Sequence, residues 1–535
     1  MIRLAGAAPI AVLWALPLLA GLVLALFAGT GGAAWLDLLH HPQLWQALGL
    51  SVWIATASAG GALICALVLS AGLYLSPYWH RLQMFSSASL AVPHLAFIIG
   101  FAFLIMPSGW LARAMVGGDA PPQWQTVQDS AGLALIAALV IKEIPFLLVM
   151  IWTILMRGDA AAALAGQWRA ARGLGHGPGS AWLRIVQPQL LRRLTWPIVI
   201  VWVYGATAVD VALVIGPTQP PALAVILWQD LNDAAQSAND RGLAGAIFLT
   251  MVLALTGLLF HAVLRAINAS THFVMSRGPS PMGVPHRTAV AGAVALVLVY
   301  GATAAILLLM SLAPRWPYPD LWPDLLQVSS WSKLLADPAP LMLSLGLAAS
   351  STIAALALAV SWFETQPQRR DRVLIGLALA ALGLPQLLIA AGQYRLFLDL
   401  GLTASLTGLF LAHLTPVLAY VIIVLSGPYR GFDDRYAAMA RSLRAGPWAI
   451  WWRVKAPLLR APLLMACAVG FSVSMVQFVP AQLIAAGRFT TLPMDAVTLA
   501  SGGSRSLTAA YALALSLPPL ALFIAAARLG RPRWY

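Results

Sequence analysis

The chain has 535 residues, of which 60% are hydrophobic and only 9% charged. A soluble protein carries about 25% charged residues, so water is excluded as the main solvent and the composition is that of a polytopic membrane protein. The net charge of +14 could suit a nucleic-acid binder, but in so apolar a chain it reflects basic loops between spans, and no nucleic-acid partner is expected. Cys65 and Cys467 both stand inside apolar runs, as small core residues with no disulfide framework or metal site around them.

Taken in order, apolar stretches long enough to cross a bilayer fall near 9–30, 47–75, 86–107, 131–155, 195–216 and 242–264. A second set follows near 289–313, 340–363, 373–392, 403–426, 461–484 and 507–527. The first stretch, preceded by Arg3, has some features of a signal peptide, but its apolar run is longer than a signal core and it is expected to be retained as a span. Twelve spans result. Basic residues concentrate in alternate loops: Arg3, Arg81, the arginines from Arg157 to Arg193, Arg265, Arg277, Arg287, Arg369, Arg370, Arg372, the run from Arg430 to Arg460, and Arg528, Arg531 and Arg533. The opposite loops hold only Arg113, Arg241, Arg315, Lys333, Arg395, Arg488 and Arg505. The positive-inside rule then places both termini in the cytoplasm of a multi-pass inner-membrane protein, with lipid around it.

The stretch Arg169–Pro188, RAARGLGHGPGSAWLRIVQP, has a partner at Ala438–Pro457, AMARSLRAGPWAIWWRVKAP, at an offset of 269 residues (438 − 169). Without a gap they share Ala171/Ala440, Arg172/Arg441, Leu174/Leu443, Pro178/Pro447, Trp182/Trp451, Arg184/Arg453 and Pro188/Pro457. A repeat of about half the chain length implies two copies of one unit. Six spans per copy, an even number, make the copies parallel, with the natural pathway between them. The expected halves are 1–285 (core about 44–265) and 286–535 (core about 339–527). They are joined by a linker over about 265–288 that holds Ser270, Ser276, Gly278, Pro279, Ser280, Pro281, Gly283 and Pro285. Pro145 pairs with Pro416, and Pro93 with Pro385, leaving about 21 extra residues near 108–130 in the first half (145 − 93 against 416 − 385).

Within each loop an alanine-rich helix is expected first, Asp159 to Leu174, broken by Gly175–Gly179. A short second helix, roughly Ser180–Val186, should end before Pro188. An ordinary basic loop accounts for the arginines but not for the matched alanine, leucine, proline and tryptophan positions. These loops resemble the EAA loop (E-A-A-x3-G-x9-I-x-L-P) of binding-protein-dependent ABC importer permeases, and nearly the whole chain resembles the fused, two-halves-in-one-chain permeases of the ferric-iron and thiamine type, closest to a thiamine-like permease. The first loop matches through Ala170, Ala171, Gly175, Ile185 and Pro188, with Arg169 for the glutamate and Gln187 for the leucine. The second keeps Ala440 and Pro457, with Val454 for isoleucine, Ala438 for glutamate, Met439 for alanine, Arg444 for glycine and Ala456 for leucine.

The resemblance implies an all-α type I ABC importer fold of twelve helices in two parallel six-helix repeats. It also implies a cytoplasmic ABC ATPase, expected as a homodimer, seated on the two loops, and a periplasmic substrate-binding protein on the other side. Arg169 in place of the glutamate would suit an acidic partner. Without the family glycine, the second loop is expected to bend at Ala445–Gly446–Pro447. The chain is not expected to be an enzyme or to bind a cofactor. ATP would be used by the partner, because a P-loop needs Gly-Lys-[Ser/Thr] and none of the lysines, Lys142, Lys333 and Lys455, follows a glycine.

Ionisable residues inside a span are expensive and point to function. Lys142 and Glu143 could line the pathway or form a structural pair, and His413 stands at the position of Lys142 in the second half. His94 reads as a packing or hydrogen-bonding residue. Asp210 and Gln477 are expected on interface helices, ahead of the segments Gly216–Leu223 and Gly487–Leu492 where a delivery protein would dock. The alternative is a twelve-span ion-driven secondary transporter, in which Lys142 and Glu143 would couple protons, but the loop SPYWHRLQMFS lacks the Gly- and Asp/Arg-rich pattern of the major facilitators. An intramembrane enzyme would need a metal or nucleophile constellation that the residues do not supply.

Overall fold

Apolar runs removed from water must satisfy their backbone groups internally, and this chain does so with helices. The computed structural model describes residues 7–74, 76–116, 118–156, 158–275 and 281–530, and among these every regular element is a helix. Nine helices are long and apolar enough to cross a membrane, and up to twelve spans result if each of three bent pairs counts as one. Arg3, Arg157, Arg277, Arg531 and Arg533, and the linker positions Ser276, Gly278, Pro279 and Ser280, lie outside the described residues.

Several boundaries differ from the sequence expectation, each for a local reason. The sixth run is part of one helix, Gln236–Met275, because no glycine or proline stands between Gly257 and Gly278 to end it. Ser270 is therefore helical, and among the described residues the irregular linker is only Pro281–Pro285. The third run is divided between Pro77–Ser89 and His94–Ile105. The ninth bends by 104° between Gly383 and Gln386. There Leu384 is extended at ψ 148°, as the residue before a proline prefers. The fifth bends by 53° at Ala208, and the eleventh divides into Arg460–Met475 and Val479–Ala485.

The first long helix of each half of the chain packs on the other half. Leu16–Ala28 lies on Gln386–Asp399, where Gly21 meets the backbone of Gly392 so closely that a Cβ on Gly392 would stand 2.3 Å from the Gly21 carbonyl oxygen. Small residues of this kind let membrane helices approach. In the turn just before Leu16–Ala28, Trp14 donates its indole N–H to the Thr415 carbonyl of Leu406–Arg430 (2.9 Å). Reciprocally, His286–Leu312 packs on Leu44–Leu73 and His94–Ile105. One buried apolar cluster runs from Ala25 and Ile54 to Met475 and Leu515, and a second gathers Trp14 and Leu18 with Leu358, Leu418 and Ile422.

Matched contacts recur in the two halves. The Leu223 amide donates to Ser51 Oγ (2.9 Å) and the Leu492 amide to Ser344 Oγ (2.8 Å), each starting a short helix after one of the Pro/Gly/Thr-rich segments. Around the extra residues near 108–130, Arg113 is 5% exposed and donates to the carbonyls of Ser108, Trp316, Pro317 and Asp320. That fan of charge-assisted bonds ties this loop to the one following His286–Leu312.

Candidate functional site

Both loops share one backbone course. In the first, the helix Gly158–Gly173 stops at Gly175, whose φ of +89° suits a residue without Cβ. The second has the helix Asp434–Ser442 and then Arg444 at φ +58°. The bend thus sits one residue earlier than Ala445–Gly446–Pro447, at Arg444 itself, which adopts the left-handed conformation that the first loop assigns to glycine. Backbone bonds match at the same offset: His176 N to Ala171 O and Ala445 N to Ala440 O, both 3.1 Å, and Ala181 N to Gly177 O and Ile450 N to Gly446 O, both 3.0 Å.

The short second helices also correspond, Pro178–Ala181 and Pro447–Ile450, each opening on a proline at its first position. Neither ends before the next proline. Each passes through a π-helical turn, Trp182–Val186 or Trp451–Lys455, and continues as Gln187–Arg193 or Ala456–Leu458. A wide turn followed by proline in the next helix's first turn loses no intrahelical donor, so Pro188 and Pro457 do not stop the helix as expected.

The loops are held to the body by different chemistry. Trp182, 1% exposed, packs on Tyr74 with ring centroids 5.3 Å apart, and Tyr74 also meets Trp168 and Trp79. Its counterpart Trp451 instead donates to the Tyr429 hydroxyl (2.9 Å). Tyr429 and Lys455 both donate to Glu364. Around each anchor, Arg169, Ala170, Ala438 and Arg444 are exposed, Ala171 is buried, and Ile185, Pro188, Ala440 and Val454 are half-buried, with Pro457 exposed. The second loop further exposes Leu443 (83%), Trp448 (75%) and Trp452 (54%).

The polar residues within the spans form two separate groups. Lys142 and Glu143 are both buried but do not pair with each other. Lys142 Nζ donates to the Ser89 carbonyl (2.9 Å) and lies over the Tyr300 ring. Glu143 Oε1 stands 2.9 Å from His94 Nε2. Successive residues on a helix point about 100° apart, so neighbours in sequence meet different helices. His94 also packs against Tyr204 (4.7 Å), and Asp210 is half-buried just beyond the bend at Ala208. In the other half of the chain His413 Nδ1 is 2.8 Å from Ser474 Oγ, and Gln477 accepts from Gln386.

Sequence reading did not single out Gln386, and it gave His94 only a packing or hydrogen-bonding role. Each immediately follows one of the paired prolines, Pro93 and Pro385, and opens a helix. That shared position was the available signal. Asp371 was also missed: it is buried and accepts from Arg430 Nε (2.6 Å), Arg430 Nη2 (2.9 Å) and Trp362 Nε1 (2.9 Å), fastening the end of Leu406–Arg430 beside the second loop. Among the described residues no group of three His, Cys, Asp or Glu is placed to hold a metal.

No protein-family model matches the chain. It is 32% identical over 495 residues to the inner membrane ABC transporter permease protein YnjC of Escherichia coli K12, covering 91% of this chain and 89% of that protein. Over 218 residues it is 29% identical to the molybdenum transport system permease protein ModB of Mycobacterium bovis, covering 37% of this chain and 80% of that protein. Over 156 residues it is 24% identical to the spermidine/putrescine transport system permease protein PotC of Haemophilus influenzae, covering 29% of this chain and 61% of that protein. The first of these likenesses runs through nearly all of both chains, and the helices are those of a multi-pass inner-membrane protein. The chain belongs to the ABC transporter permeases.

Proposed function

We propose that this permease is the membrane-spanning subunit of an importer of the ferric-iron and thiamine type, with two permease halves, 1–285 and 286–535, fused in one chain. The halves form two parallel six-helix repeats around an alternating-access pathway. The loops 169–188 and 438–457 face the cytoplasm, as do both termini, and seat on an ABC ATPase dimer that supplies the energy of ATP hydrolysis. A periplasmic binding protein delivers substrate at the opposite end, next to Gly216–Leu223 and Gly487–Leu492.

One observation carries this reading: two loops 269 residues apart repeat the same backbone hydrogen bonds and the same proline-led helix. A basic loop needs only its charges for topology, whereas a rigid helix–turn–helix displayed twice suits a two-fold partner. Lys142, Glu143 and Asp210, with His413 and Gln477, are the candidate pathway residues, because ionisable and polar side chains inside spans are retained where they serve transport.

Purification of the tagged chain from native membranes tests the proposal. A Walker-motif ATPase should accompany the intact chain and be lost when Gly175–Pro178 and Ala445–Pro447 are both disrupted. An intact chain that purifies without any ATPase and transports on a pH gradient alone would overturn it.

A further inference from the structure

The two loops share a backbone but not an environment. Gly177, Gly179 and Ser180 are buried, whereas their counterparts Gly446 and Trp448 are exposed and Ala449 is half-buried. The segment Pro281–Pro285 lies directly against Gly177, Gly179 and Ser180. The amides of Gly179 (3.0 Å) and Ser180 (3.3 Å) both donate to the Met282 carbonyl. These are first-turn helix donors that have no partner within their own helix.

The approach is so close that a Cβ built on Gly177 would stand 2.3 Å from Met282 O, and one on Gly179 would stand 2.2 Å from Gly283 O. A Cβ built on Gly446 would meet nothing within 4 Å among the described residues, and a tryptophan occupies the place of Gly179. The far end of the segment is fixed as well. His286 Nδ1 is 2.9 Å from the Gly72 carbonyl, and a Cβ on Gly72 would stand 2.3 Å from that of Ala289.

We propose that Pro281–His286 is an internal strap that clamps the first loop, making the two loops mechanically and chemically unequal. The strap runs straight into the helix His286–Leu312, so a displacement of that helix is transmitted to the Gly177–Ser180 turn. The ATPase face over the first loop meets a surface already closed by the permease's own chain, with Met282 43% exposed beside it. The face over the second loop meets the open aromatic cluster of Trp448 and Trp452. This inference rests on the loops being the ATPase docking elements, but its test does not require the ATPase.

Amide hydrogen exchange on the full chain in lipid nanodiscs provides that test. In the unsubstituted chain, Gly179 and Ser180 should exchange about tenfold more slowly than Trp448 and Ala449, as a hydrogen-bonded pair compared with an open one. Gly177→Ala and Gly446→Ala are matched substitutions, because both glycines have the same extended backbone, φ −61° and ψ 157° against φ −71° and ψ 161°, which alanine adopts freely. Gly177→Ala should abolish the protection of Gly179 and Ser180 and raise exchange across 281–286, while Gly446→Ala changes neither loop. Equal exchange of the two loops in the unsubstituted chain, or protection that survives Gly177→Ala, would overturn the strap. An unsubstituted chain that shows this exchange pattern but purifies without any ATPase would instead overturn the coupling reading and leave the strap standing.

Discussion

Gly175 and Arg444 close the same turn, 269 positions apart, at φ +89° and +58°. One is the residue that the left-handed region favours and the other is a residue it penalises. Arg444→Gly should therefore raise stability by roughly 1 kcal/mol, less the chain entropy that glycine adds to the unfolded state, and Gly175→Ala should lower it by a similar amount. Thermal unfolding of the detergent-solubilised chain reads both. Equal and opposite shifts are expected, and a destabilised Arg444→Gly would mean that the arginine side chain contributes more than its backbone costs.

Arg430 and Asp371 make the best-formed buried ion pair next to the second loop, with two guanidinium bonds to one carboxylate. Asp371→Ala would leave the guanidinium half-buried, with only the Phe363 and Gln366 carbonyls as acceptors among the described residues. A loss of about 3 kcal/mol is expected, because breaking one partner of such a pair strands a charge. Arg430→Lys should recover only part of it, a compact ammonium being unable to reproduce the fork.

Asp433 caps the helix Asp434–Ser442 by accepting from the Arg435 amide (3.0 Å) and also pairs with the Arg435 side chain. The Arg435 side chain, and then its amide, hold the Asp433 carboxyl below the ordinary carboxylate value. A depressed value in the folded state contributes stability above the unfolded-state value that is lost as pH falls through the folded one. The helix should stay capped from neutral pH down through the usual carboxylate range and fray only below it. Asp433→Asn should remove that dependence while keeping much of the cap. Exchange of the 434–442 peptide against pH is the measurement.

Within the spans, Glu143 and Lys142 are expected to differ: one acts on transport, the other on stability. Glu143→Gln preserves shape but replaces the carboxyl group facing His94 with an amide, so transport should fall about tenfold with the fold and ATPase binding intact. Unchanged transport would remove Glu143 from the pathway. Among the described residues Lys142 makes one hydrogen bond, to a carbonyl, which does not offset the desolvation of a buried ammonium. Lys142→Met should leave the melting temperature unchanged or raise it.

Much of this architecture was readable from the residues in order. Long apolar runs dictated helices because a bilayer leaves the backbone no other partner, and the paired loops were visible because Pro178/Pro447 and Trp182/Trp451 recur at one offset. Boundaries were less legible. The helix through Ser270 had no stop signal to mark its end, and the π-helical turns before Pro188 and Pro457 let helices run past prolines that usually end them.

The sequence by itself determined the class of molecule, its helices and the twin loops, since these depend on composition and on residues a few positions apart. Only the tertiary structure decided that Glu143 faces His94 rather than Lys142, that Asp371 holds Arg430, and that Met282 closes over Gly177 and Gly179. Each of these joins residues separated by about fifty positions or more, or on different helices. The direction of a side chain around its helix and the route of a linker are set by packing between segments, which no local pattern encodes.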